Sequence, residues 1–126
     1  MDRTRPLYNG LFKARDRFLD NSTACGFEPD VIQEYIHWTL TLASSYERGA
    51  KDENPLLHEL FLRQLYFHLL DAIQDPKRSR IFRRLCLDSI HTPLLCLKRQ
   101  YDQWEDGDIK FLLLQQQLQR VQAPLD

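Results

Sequence analysis

The pair His58-Glu59 begins as a zinc-protease helix begins, with an imidazole to bind metal and a carboxylate to take a proton from metal-bound water. The second histidine of that motif belongs four residues after the first, and Leu62 stands there instead. His37, His68 and His91 have no Cys, His or carboxylate at metal-ligand spacing. His37, set among apolar residues in YIHWTL, reads as a satisfied and partly buried side chain. The glycines are scattered singly, so no phosphate-cradling loop or nucleophile elbow is encoded. Cys25 in TACGF suits an exposed thiol, but nothing around it marks a nucleophile. The expectation is a protein without metal or cofactor, and not an enzyme. A catalytic site would have to assemble from residues far apart in the chain.

A second cluster is electrostatic. In PKRSRIFRR, residues 76–84, five of nine side chains are basic and none is acidic. At about 100° per residue, Lys77, Arg80, Arg83 and Arg84 share one arc, opposite Ile81, Phe82, Leu85, Cys86 and Ile90. Such a strip is either the wet face of an amphipathic helix or a basic patch for phosphate or an acidic partner. No aromatic side chain is interleaved on the basic arc to stack on bases. Basic residues in a first helical turn also oppose the helix dipole.

Composition narrows the setting for these residues. The chain has 126 residues, the size of one domain, with 43% hydrophobic and 28% charged residues. Its net charge is −1, which provides no global attraction to nucleic acid or anionic lipid. Acids and bases are balanced between the two halves. The N-terminal residues carry no signal-peptide core, Asp2 breaks the myristoylation pattern, and no apolar run is long enough to span a bilayer. Cys25, Cys86 and Cys96 form an odd set without CxxC spacing, which suits free thiols in a reducing compartment. Asn21-Ser22-Thr23 matches a glycosylation acceptor that has no use without secretion. An intracellular protein, cytoplasmic or nuclear and without a membrane association, is expected.

The elements that must position these residues are marked by proline. Asn54-Pro55, Asp75-Pro76 and Thr92-Pro93 each precede an apolar-periodic segment, the arrangement of a capped helix start. Asp30 with Gln33 resembles a capping box, and Gly49 and Gly107 stand where left-handed caps would close helices. Six helices are predicted, over 4–20, 30–47, 55–74, 76–90, 93–105 and 108–122, with no strand pattern. The predicted fold is all-α: one compact bundle over residues 1–126, built from successive antiparallel helical hairpins.

Two predicted helices carry more apolar surface than one core stripe requires. In 56–73 the apolar side chains leave polar gaps at Glu59, Arg63, Gln64, His68 and Asp71. In the last helix, Phe111, Leu114, Leu118 and Val121 form a short heptad seam, while Ile109, Leu112 and Leu113 point elsewhere. Gln115, Gln116 and Gln117 are uncharged, so a partner covers them at lower desolvation cost than Lys or Glu. The expected function is a protein–protein interaction module, an adaptor or assembly subunit, that binds a partner or itself. Phe111, Leu114, Leu118 and Val121 are its expected contact residues. The rival expectation is a small helical nucleic-acid-binding domain that uses Lys77, Arg80, Arg83 and Arg84.

Overall fold

The computed structural model describes residues 4–20 and 26–122 and is helical throughout, with no strand among the described residues. The six helices are α1 (Arg5–Leu19), α2 (Glu28–Ser44), α3 (Pro55–Gln74), α4 (Arg80–Ser89), α5 (His91–Tyr101) and α6 (Gly107–Gln122). Cys25 and the Asn21-Ser22-Thr23 triplet lie outside the described residues.

The start signals divide on physical grounds. Asn54 caps α3 as expected, its side chain accepting from Leu57 N at 3.2 Å, with Pro55 in the first turn. Asp75 does not cap α4. It closes α3, and its carboxylate accepts from Lys77 N at 2.9 Å in a local turn. Ser79 caps α4 instead, accepting from Phe82 N at 3.1 Å, so that helix begins four residues later than the proline suggests. Thr92 is no cap either. Helix α5 starts at His91, and Ile90, shared with α4, keeps helical backbone angles. Pro93 cannot donate to the Ser89 carbonyl and its ring crowds that oxygen, which breaks one long rod into two pieces at this point. Asp30 falls inside the first turn of α2 rather than at its cap.

The two glycines behave differently. Gly49 has φ of 89°, a left-handed turn beyond the end of α2, and its N–H donates to Glu53 Oε1 at 2.7 Å. Gly107 opens α6 rather than closing α5, and a Cβ there would lie 1.7 Å from the Tyr101 carbonyl oxygen. Close approach of backbones, not a positive φ, requires that glycine.

Helix α3 packs against α2, α4, α5 and α6, while α1 packs on α2. Consecutive pairs α1–α2, α2–α3, α3–α4 and α5–α6 lie together as hairpin neighbours. Leu62, Leu65, Tyr66, Leu69 and Ile73 of α3 are essentially inaccessible, and Phe18, Ile32, Tyr35, Leu42, Phe82, Cys86, Leu97 and Tyr101 close around them. Two tyrosine hydroxyls of this core are tied down. Tyr66 donates to the Leu114 carbonyl of α6 at 2.6 Å, and the buried Tyr101 hydroxyl donates to Glu59 Oε2 at 2.6 Å and accepts from Arg63 at 3.2 Å.

His68 lies at a distance of 2.5 Å, Nδ1 to hydroxyl oxygen, from the buried Tyr35. Burial, with Arg15 adding to it and Asp71 opposing, holds the His68 imidazole below its ordinary value of 6.5. His37, by contrast, is exposed, its ring edge-on to Trp38. The expectation of a partly buried His37 therefore fails, and the half-buried imidazoles are His58 and His68.

Two outcomes follow from these contacts. Asn54→Ala should lower stability by about 1 kcal/mol and Gly107→Ala by about 2 kcal/mol or more, whereas Thr92→Ala should leave the urea midpoint nearly unchanged. Because the folded state holds His68 below its unfolded value of 6.5, its contribution is present above that pH and lost as pH falls below it. Wild-type stability measured by urea titration should therefore drop between neutral pH and mildly acidic pH, and His68→Gln should flatten that part of the profile.

Candidate functional site

Helix α6 meets the core with the stripe that the sequence put forward as partner-facing. Leu114, Leu118 and Val121 are buried, and Leu114 is only 1% exposed. Phe111 is half-buried with the Lys98 ammonium 5.8 Å from its ring centroid. These four residues hold α6 to the bundle, and the expectation that they form the contact surface is corrected accordingly. The reason lies in the Leu114 carbonyl. The Tyr66 hydroxyl donates to it from α3, which ties α6 to the core on the side of this stripe.

The opposite stripe is therefore the one left in solvent. Ile109, Leu112 and Leu113 are 65%, 53% and 57% exposed. Leu112 and Leu113 sit in a segment, 111–119, that contains no charged residue, and Ile109 lies just before it between Asp108 and Lys110. Leu113 also borders a groove of about 440 Å³ between α3 and α6, whose other walls include Glu59, Arg63, Lys110 and Gln117. Lys110 crosses the end of that groove, 3.7 Å from Glu59 Oε2 and 4.7 Å from the Trp104 ring centroid. On α3, Leu56 and Leu60 add a second exposed apolar pair one turn apart, on the turn that carries Glu59.

The basic strip separates into two kinds of residue. Arg78, in the turn that precedes α4, reaches across to the carboxyl end of α1. It donates to Phe18 O at 2.6 Å and Asp20 O at 3.2 Å, and its guanidinium lies 4.5 Å from the Phe82 ring centroid. Arg83 donates from Nε to Ile73 O at 2.8 Å, at the carboxyl end of α3. Both cations satisfy carbonyls that a helix terminus leaves without an N–H and face the negative end of its dipole. Arg84 is paired with Asp88 at 3.8 Å in solvent, an interaction worth little. Lys77 and Arg80 are exposed. Ile81, expected on the inner arc, is 60% exposed instead, because α4 starts late and packs through Phe82 and Cys86.

Cys86 is fully buried and burial raises its thiol to about 12, so it is inert at neutral pH. Cys96 is half-buried and shifted in the same direction by burial. Neither is in a disulfide. No group of three or more His, Cys, Asp or Glu among the described residues is close enough to hold a metal ion, and none of their helices is long and apolar enough to cross a membrane.

No protein-family model, curated protein or solved structure matches this chain.

Arg78→Ala removes two charge-assisted hydrogen bonds and a ring contact, so it should cost about 2 kcal/mol in denaturant unfolding. The pair Arg80→Glu with Arg84→Glu should change stability by no more than about 0.5 kcal/mol. Similar losses from both variants would show that the helix-end contacts of Arg78 do not contribute to stability.

Proposed function

We propose that this protein is a non-enzymatic interaction module of the cell interior that self-associates through the outer face of α6. One observation carries the reading: Ile109, Leu112 and Leu113 are each more than half exposed beside the charge-free segment 111–119. A lone exposed leucine is ordinary, but three within five residues of one helix concentrate apolar surface where a monomer gains nothing from it. The occupant that suits this face best is a second copy of the chain. In a twofold contact each residue meets the same surface again, so a charged face repels itself while an apolar face rimmed by glutamines does not. Gln116 and Gln119 are exposed, and a side-chain amide both donates and accepts, so it can pair with its own copy. The unpaired Cys86 and Cys96 are in keeping with a reducing compartment.

Sedimentation equilibrium on the wild type should give a dimer at micromolar concentration. Leu112→Glu with Leu113→Glu should yield a folded monomer, since both side chains are already in water in the isolated chain. Leu114→Glu should instead unfold the protein, because it places an unpaired charge in the core. A wild type that remains monomeric under these conditions removes the self-association reading, whatever else binds there.

A further inference from the structure

The stripe that leaves Ile109, Leu112 and Leu113 in water does not end with them. At about 100° per residue, Gln116 and Arg120 fall within about 20° of Ile109 on the same side of α6, and both are exposed. The face therefore changes along its length. Acids stand at its start, where Glu105, Asp106 and Asp108 are exposed around the first turn. Apolar side chains follow, then Gln116, and Arg120 closes it with a cation. Among the described residues Asp106, Asp108 and Arg120 are in no ion pair. Lys110, the neighbouring cation in the chain, is turned instead to Glu59 and the Trp104 ring.

The helix dipole accounts for an acid in the first turn and a base in the last. It acts alike on every side of a helix, however, and does not account for Arg120 lying in line with Ile109. A twofold contact through this face has two forms. In a parallel pair the acids of one copy meet the acids of the other, and Arg120 meets Arg120. An antiparallel pair brings opposite charges together at both ends. With Leu112 and Leu113 at the twofold axis the apolar halves overlap, and Arg120 comes level with position 105 of the second copy. Asp106 and Asp108 of that copy then stand within about 5 Å of it along the helix axis, inside the reach of an arginine side chain. Charges at the edge of a helix pair set its orientation in this way.

We propose that α6 pairs antiparallel with α6 of a second copy, Arg120 of each seated on the acidic turn 105–108 of the other. This pairing rests on self-association through α6 and adds its direction, with two charged contacts that select a copy of this chain over other apolar surfaces.

The test is the distance between spin labels on Gln119→Cys in the full chain, in a Cys25→Ser, Cys96→Ser background where Cys86 is shielded by burial. The antiparallel pair separates the two labels by about 20 Å along the axis, whereas a parallel pair holds them about 10 Å apart. Sedimentation equilibrium supplies a second readout. Arg120→Glu should weaken the dimer by about tenfold, and so should Asp106→Lys with Asp108→Lys, since each sets like charges against one another. An equimolar mixture of these two variants should regain wild-type affinity, because opposite charges then meet at both ends. Circular dichroism checks that each variant is folded; if the lysine variant is not, Arg120→Glu and the label distance decide. A dimer with labels about 10 Å apart, a dimer indifferent to Arg120→Glu, or a mixture without recovery overturns the antiparallel pairing and leaves self-association standing. A monomeric wild type overturns both.

Discussion

Helix α3 has apolar side chains around most of its circumference, and such a helix is stable in water only when neighbours enclose it. Leu62, Leu65, Tyr66, Leu69 and Ile73 lie essentially out of solvent, and α2, α4, α5 and α6 all pack on this one element. Burial of each large side chain contributes about 1.5–3 kcal/mol relative to exposure. The enclosure of α3 is therefore the largest local source of stability, and the other helices take their positions from it. Where enclosure is incomplete, at Leu56 and Leu60, apolar surface stays in water.

The basic strip shows how a charge pattern can serve the fold rather than a ligand. A helix ends with carbonyls that have no intrahelical donor, and a bundle forces some of these ends against neighbouring elements. Arg78 and Arg83 supply the missing donors for α1 and α3 from the same short stretch of chain. The cost of placing cations near the start of α4 is small, a few tenths of a kcal/mol, compared with two helix ends left unsatisfied. The dipole conflict in α4 has its explanation in the neighbouring helices.

The α6 face and the cleft of about 570 Å³ between α2, α3 and α5 differ in the physics they offer. The first is apolar at Ile109, Leu112 and Leu113 and suits another protein surface. The second is concave and balanced in charge, with two acids and two bases among its walls. Gln100, His58 and Cys96 belong to no recognisable motif, because 38 positions separate His58 from Cys96 and only the packing of α5 against α3 brings them to one cleft.

Helical content, the number of helices, the cap at Asn54 and the excess of apolar surface on α3 and α6 were all legible in the residues. These depend on interactions within a few positions, which local pattern determines. Which proline-preceded residue acts as a cap was not legible. Asp75-Pro76 and Asn54-Pro55 look alike in the chain, but at Asp75 the turn accommodates Lys77, and Ser79 begins the next helix. The inward stripe of α6 was likewise undecidable, since Phe111–Leu114–Leu118–Val121 and Ile109–Leu112–Leu113 are comparably apolar. Packing of Leu114, Leu118 and Val121 into the core, with the Tyr66 hydroxyl bonded to a carbonyl 48 residues away, goes with the first stripe. The sequence by itself determined which segments are helices and that two of them carry spare apolar surface. The tertiary structure decided which face of each is spent on the core, because that choice rests on long-range contacts that no local spacing encodes.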